Sequence, residues 1–311
     1  MMSKTWLLLA LAAASPALAD GSLYAGVPET PEDRSVAAFS DLGAWFGFTL
    51  PTSERPDLAG AFVGPLLFDE GTWVSEALLR PVVTIDGEKI DLAAAKTVYE
   101  SPPGRLLQMF DVEGMRLAFD LFFEHAAQAT IHVHAYSSSK KSRDLRIEWQ
   151  VDADALARSD LRVSAPALRE QIGPRESRYA VAAIALGSPI EKTDRRESRN
   201  ARRDRWNGYF RRVATGERRD HPRQVLAQKA LMTLVSNWRS PRGNLTHDGL
   251  FPSTAVSYFN GFWAWDSWKH AAAIARFDTE LAKQQVRAMY SHQNERGMVP
   301  DVVYVDPAED N

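Results

Sequence analysis

The sequence predicts an α+β protein in several parts, an N-terminal antiparallel β-sandwich followed by helices. Three observations predict it. Short β-prone runs separated by turn residues fill the chain from Phe39 to about Val151. A charge-rich stretch from Asp194 to Arg219 interrupts them. Beyond Pro222 the apolar residues recur at helical spacing, and this change of period marks a change of element type.

The leader comes first. Lys4 precedes an apolar run from Trp6 to Ala14, then Ser15-Pro16 and the small-residue pattern Ala17-Leu18-Ala19. A basic start, a short apolar run and an A-x-A site predict a secretory signal peptide over 1–19, cleaved after Ala19. The run is too short to span a bilayer, so the expected location is periplasmic or secreted, with no membrane partner after cleavage. The 311 residues contain no cysteine. An exported chain without disulfides must be held by its core, and thiolate nucleophiles and Cys-based metal sites are excluded. Net charge is −3, from 37 Lys+Arg against 40 Asp+Glu, so no global field favours nucleic acid.

The sandwich is expected over 20–193. Gly21 to Arg34, with its Pro, Glu and Asp residues, reads as an extended or irregular arm. Strands follow at Gly71–Ser75, Val82–Ile85, Leu106–Phe110, Met115–Phe123, Thr130–Tyr136 and Leu145–Val151. Asp86-Gly87 and Glu113-Gly114 are hairpin turn signals. Met115, Leu117, Phe119 and Leu121 alternate with Arg116, Ala118 and Asp120, the period of a half-buried strand. His132 and His134 share one face of their strand, a two-point metal arrangement without a third ligand in view.

A solvated linker helix is expected over 194–221, where Glu197, Asp204, Glu217 and Asp220 offset the arginines. The interleaved aromatics also suit a nucleic-acid patch, but export and near-neutral charge favour the linker. The third part, 222–311, is helical. Pro222 starts a helix after Asp220 or His221, with Leu231, Leu234, Val235 and Trp238 on one face, ending near Arg239. A second helix runs from Trp265 or Asp266 to Arg276. Asp278 caps a third, making an αα-hairpin.

The chemistry concentrates here. Of nine tryptophans, Trp238, Trp263, Trp265 and Trp268 fall between Trp238 and Asp301. Indole faces stack on sugars while carboxylates and amides bind hydroxyls, so these residues suggest a carbohydrate cleft. A helix–helix core rich in aromatics explains the same pattern equally well. Asp266 sits among the indoles. A helix N-terminus favours its ionised form, whereas water-excluding indoles would keep it protonated, as a general acid requires. Lys269 and His270 lie beside it, and Gln293, Asn294 and Asp301 could return to the same cleft mouth.

Asp41-Leu-Gly-Ala-Trp45 with Pro51, Asn237-Trp-Arg-Ser-Pro241, Phe262-Trp-Ala-Trp-Asp-Ser-Trp-Lys269 and Gly297-Met-Val-Pro-Asp301 resemble motifs of family 63 glycoside hydrolases. That family includes processing α-glucosidase I and bacterial periplasmic α-glucosidases. The resemblance implies a β-sandwich, a helical linker and an (α/α)6 barrel, and inverting hydrolysis of α-glucosidic bonds in oligosaccharides or disaccharides. It places Asp266 at the general acid and Trp238, Arg239, Trp263, Trp265, Trp268, Lys269 and Asp301 near the sugar. The 90 residues from Pro222 to Asn311 hold only about three of the twelve barrel helices. No residue matches the family's general base, a Glu far downstream, which an inverting mechanism needs. The barrel is therefore expected to be truncated, the chain inactive by itself, and the apolar helix faces open. The calcium loop of the bacterial relatives has no counterpart here, since no Asp-x-Asp-x-Asp-Gly pattern occurs, so no cofactor is expected in this chain. The alternatives are a non-catalytic carbohydrate-binding protein and a trehalase-like (α/α)6 glycosidase.

Overall fold

The computed structural model describes residues 23–214, 216 and 221–309; the leader read at 1–19 lies outside them. The chain opens with a small sheet of β1 (Phe46–Thr49), β2 (Val63–Leu67) and β3 (Thr72–Trp73). Next come β4 (Leu79–Ile85), β5 (Glu88–Lys89), β6 (Lys96–Glu100), β7 (Leu106–Val112), β8 (Met115–His125), β9 (Gln128–Ser137) and β10 (Arg143–Val151). A short helix α1 (Ala153–Ala157) precedes β11 (Leu161–Ser164), β12 (Leu168–Ile172) and β13 (Ser177–Leu186). These strands form two antiparallel sheets, ordered β12-β10-β4-β5 and β11-β13-β9-β8-β7-β6.

The two sheets face each other across one apolar cluster. Val83, Ile85, Leu145 and Ile147 come from the smaller sheet, and Leu117, Phe119, Leu121, Ile131 and Val133 from the larger. Phe119 meets Trp149 edge to face at 6.2 Å across the layers, a favoured aromatic geometry. The expected alternation holds in β8, with Met115, Leu117, Phe119 and Leu121 all buried. Both predicted turns close two-residue hairpins. Asp86 and Gly87 (φ 53° and 88°), like Glu113 and Gly114 (φ 46° and 75°), take the positive φ values that match strand twist.

The arm is irregular, as read, and is pinned by Tyr24, which is buried and whose hydroxyl donates to the Met232 carbonyl at 3.3 Å. Two features differ from the sequence reading. The alanine-rich β13 is a central strand, paired with β9 from Ser177↔Tyr136 to Ala185↔Gln128 and with β11 on its other side. Ladder bonds on both edges override its weak strand propensity. The linker helix α2 (Arg195–Arg212), capped by Asp194, is solvated on only one face. Arg202, Trp206 and Tyr209 are buried beneath it.

Helix α3 (Pro222–Ser236) is capped by His221, whose ring accepts the Arg223 N–H. It stops before Arg239 because Trp238 and Arg239 become β14 and pair with β15 (Gly249–Leu250). Then β16 (Gly261–Trp263) leads directly into α4 (Ala264–Ile274), followed by α5 (Thr279–Tyr290). The Asp278 carboxylate caps α5 by accepting the Leu281 N–H at 3.1 Å. Finally β17 (Val302–Tyr304) returns to pair with β16. Helices α4 and α5 form the expected αα-hairpin, its turn anchored by buried Phe277. The described helices do not close a ring. Helices α2 to α5 pack on the sandwich, because Tyr209, Leu231, Ile274, Phe277 and Leu281 belong to the sandwich core cluster. A second cluster joins Trp45, Leu66, Phe68 and Trp73 to Phe251, Phe262, Met289 and Val303.

Candidate active site

The site is organised by the first turn of α4. Trp263 is its N-cap, and Asp266 lies in that turn. A buried polar relay holds it. The Ser267 hydroxyl donates to the Trp263 carbonyl at 2.7 Å, and Gln285 Nε2 on α5 donates to Ser267 Oγ at 2.9 Å. Gln285 Oε1 in turn accepts the Leu250 N–H from β15 at 2.6 Å. Both side chains are fully buried, so the net few kcal/mol of such bonds comes with a larger cost if any is left unmade. Ser267 and Gln285 were not singled out in the sequence. The available signal was a glutamine on the apolar face of α5, between Leu281 and Met289.

Trp265 and Lys269 are one helical turn apart, and Lys269 Nζ sits 3.5 Å above the Trp265 ring. Trp265 is 62% exposed and Trp268 38% exposed. At roughly 100° per residue, Trp268 projects about 200° around the helix from Asp266. Trp268 turns instead toward Tyr290 of α5, with ring centroids 5.8 Å apart. Trp268 therefore does not flank Asp266 as adjacency in sequence suggested. The neighbour one turn from Asp266 is His270. Burial pushes its imidazole below the usual value, with the Asp266 charge opposing the shift, and its Nδ1 is buried without a hydrogen-bond partner.

Asp301 is brought to this turn by the β16–β17 pairing. Its carbonyl accepts the Ala264 N–H at 2.8 Å, and its side chain is exposed. Gln293 and Asn294 do not converge on the turn. Gln293 Nε2 donates to the Gly297 carbonyl, and Asn294 Oδ1 accepts from the Arg296 and Met298 amides, so both organise their own loop. Trp263 packs edge-on against Phe259 at 5.3 Å, with its indole nitrogen buried and unpartnered.

Two other predicted sugar contacts lie in the domain junction. Arg239 is fully buried, 3.6 Å over the Phe68 ring, and donates to Ser40 Oγ and the Ser236 carbonyl at 3.0 Å. Burial without a carboxylate lowers its pKa to about 9. There the guanidinium packs between the Phe68 ring and the Ser40 and Ser236 oxygens. Trp238 is half-buried and its indole donates to Asp248 Oδ1 at 2.7 Å. Burial raises the Asp248 carboxyl, with the Trp238 hydrogen bond opposing. Asp248 had no sequence signal beyond its charge.

The Asp41 motif is also a junction. Asp41 is 1% exposed and takes both Arg205 nitrogens, at 3.0 and 2.6 Å, and the Trp206 indole at 3.1 Å. Gly43 and Trp45 bond Ser240, the Gly43 carbonyl accepting its N–H at 2.8 Å and the Trp45 indole donating to its carbonyl at 2.9 Å. The two strand histidines face α2. His132 packs edge-on to Phe122, and His134 stacks on Tyr179, which Arg195 covers at 3.6 Å. No group of three or more His, Asp or Glu side chains that could hold a metal ion occurs among the described residues.

Two family profiles match the chain. Residues 28–167 match "Glucosidase YgjK, N-terminal", and residues 258–310 match "Mannosylglycerate hydrolase MGH1-like glycoside hydrolase domain". The second match contains the α4 turn. Both are glycoside hydrolase profiles, and neither singles out family 63. A family GH92 α-mannosidase from Bacteroides thetaiotaomicron aligns over 91% of this chain at 9% identity and a TM-score of 0.39. The same enzyme with mannoimidazole aligns at 9% and 0.38. The chain spans about half the length of each, 50% and 49%.

Proposed function

We propose that this chain is part of an exported, inverting glycoside hydrolase acting on α-glucosidic linkages of oligosaccharides, with Asp266 as its general acid. The observation that carries the reading is the α4 turn. It presents a carboxylate, an exposed indole and an ammonium group on a frame fixed by the Ser267–Gln285 relay. The glycoside hydrolase profile over 258–310 supports it from outside the structure.

In this reading Asp266 donates its proton to the glycosidic oxygen as the bond to the anomeric carbon breaks. Water attacks that carbon from the opposite face, and a second carboxylate takes the water's proton. No residue of this sequence is assigned that second role. Trp263, Trp265, Trp268, Lys269 and Asp301 are proposed to line the sugar path. The fold reading extends likewise: α3, α4 and α5 are proposed as helices of an (α/α)6 barrel, and residues 1–19 as a leader to the periplasm or exterior. No described group fits calcium, and no step is derived through it.

A second reading differs in substrate. The profile containing Asp266 is named for a mannosylglycerate hydrolase, which favours an α-mannosidic bond at the same turn. Hydrolysis of p-nitrophenyl α-glucoside, p-nitrophenyl α-mannoside and mannosylglycerate by the full-length gene product separates the two. Replacing the acid, Asp266→Asn, is expected to lower turnover of the preferred substrate by about 10²–10⁴-fold. Retained turnover removes Asp266 from the acid role. Sugar binding with no hydrolysis by the full-length product would favour a non-catalytic carbohydrate-binding protein.

A further inference from the structure

The linker helix α2 is held to the rest of the protein in two different ways along its length. Its first half lies over the larger sheet, on the face turned away from the sandwich core, where His132 and His134 stand two residues apart on β9. His132 is 7% exposed, packs edge-on to Phe122 at 4.6 Å, and keeps its buried Nε2 without a hydrogen-bond partner. Arg202 of α2 covers the same Phe122 ring at 4.2 Å. His134 stacks on Tyr179 at 4.6 Å and meets Ser177 Oγ at 3.1 Å, and Arg195 of α2 covers that Tyr179 ring at 3.6 Å. Each histidine thus shares an aromatic ring with an arginine of the helix above it. The second half of α2 is held by oxygens instead. Arg205 and Trp206 bond Asp41, Tyr209 donates to Asp278 Oδ2 at 2.8 Å, and Arg212 donates to the Phe277 carbonyl at 2.9 Å.

The charges around the two rings leave no room for more positive charge. Arg195 and Arg199 of α2 bear on both rings, and Arg202 bears on His132. Asp120 of β8 lies opposite His132 in the ladder, but it already pairs with Arg105 at 3.0 Å and with Arg202 at 3.3 Å. Glu124, on the same face of β8, accepts the Thr193 hydroxyl at 3.0 Å. From β13 the residues on this face are Ser177, Tyr179 and Val181, none of them charged at neutral pH. Burial holds both imidazoles down to about 4, with Asp120 opposing at His132 and the arginines adding at both. A proton on either ring therefore meets guanidiniums across a largely dry face, where like charges repel more strongly than in water.

We propose that residues 195–204 of α2 form an acid-released clasp: protonation of His132 and His134 beneath Arg195, Arg199 and Arg202 frees this half of the helix from the sandwich, while residues 205–212 stay bound. Undocked rings take up protons at the ordinary histidine value near 6.5, and docked rings do not, so opening is favoured as pH falls from about 6.5 toward 4. Between pH 7 and pH 5 the shift is about 20-fold for one ring and on the order of 10²–10³-fold for both. The half from 205 to 212 holds the α4–α5 turn through Asp278 and Phe277, and no histidine is among those partners. Release is therefore local. It stands independently of the acid assigned to Asp266.

The test is hydrogen–deuterium exchange of the 311-residue chain at pH 7 and pH 5, each referred to the unfolded chain at the same pH. Amides 199–204 are compared with amides 206–212 of the same helix and with those of β8 and β9, which report global unfolding. The clasp predicts that at pH 5 amides 199–204 are at least about tenfold less protected than 206–212, after a fall of about 10²–10³-fold from pH 7. In His132→Phe/His134→Phe the fall should vanish while circular dichroism keeps the native spectrum. Should that double variant not fold, Arg199→Gln carries the test, because it leaves both rings in place and removes a cation that faces them; the fall should then shrink severalfold. Equal protection of the two halves at pH 5 means that α2 opens as one unit, which overturns the proposal. So does a fall that persists undiminished in the folded histidine variant, or in Arg199→Gln where that variant stands in.

Discussion

Replacing Asp41 by alanine should destabilise the protein severely, although no hydrogen bond of Asp41 reaches the α4 turn. Its carboxylate is almost fully buried and accepts two Arg205 nitrogens, the Trp206 indole and the Leu42 amide at 2.8 Å. The Arg205 side chain is itself only 20% exposed. Removing the carboxylate leaves a largely buried guanidinium without its counter-ion, a loss of roughly 3–5 kcal/mol, and strips the Trp206 N–H of its acceptor. Against a typical total stability of about 5–15 kcal/mol, that is roughly a fifth or more. Urea denaturation monitored by tryptophan fluorescence measures the change. The pairing argument makes a second demand. In Asp41→Ala/Arg205→Met no charge is left stranded, so the double variant should lose clearly less than the two single losses added together. A single-variant loss below about 1 kcal/mol, or simple additivity, would refute the assignment of the Asp41 motif to domain clamping.

Three further outcomes are expected. Burial holds His132 and His134 down to about 4, with Arg195 and Arg199 adding to the depression in both and Asp120 opposing it at His132. The unfolded chain takes up these protons near pH 6.5 and the folded chain does not, so stability is full above about 6.5 and falls as pH drops toward 4. For His132 the loss is on the order of 3 kcal/mol, read as the pH dependence of the urea midpoint, and His132→Phe should remove that share and leave the His134 share. Gln285→Leu should cost about 1–3 kcal/mol by stranding the buried Leu250 amide, and should lower turnover of the full-length product while a distant surface variant does not. Gly43→Ala should destabilise measurably in the same urea assay, since φ is +76° and the new Cβ would lie 2.7 Å from the Ser240 nitrogen.

The local rules were legible in the sequence. Turn pairs with positive φ, the two-residue period of β8 and the cap Asp278 depend on near neighbours in the chain, and those are written in residue order. The choice of Asp266 as the candidate acid came from its motif. What surrounds Asp266 was decided by tertiary structure. Adjacency in sequence grouped Trp265, Asp266 and Trp268, but a helix separates them by rotation and turns Trp268 toward Tyr290. Asp41 meets Arg205 across 164 residues, Gln285 meets Leu250 across 35, and Asp301 reaches the α4 turn only because β17 pairs with β16. Arg239, although charged, is fully buried in the junction, where Phe68 covers it. Propensity and period report the energies of neighbours along the chain; long-range burial and hydrogen bonding then determine which of those neighbours share a site.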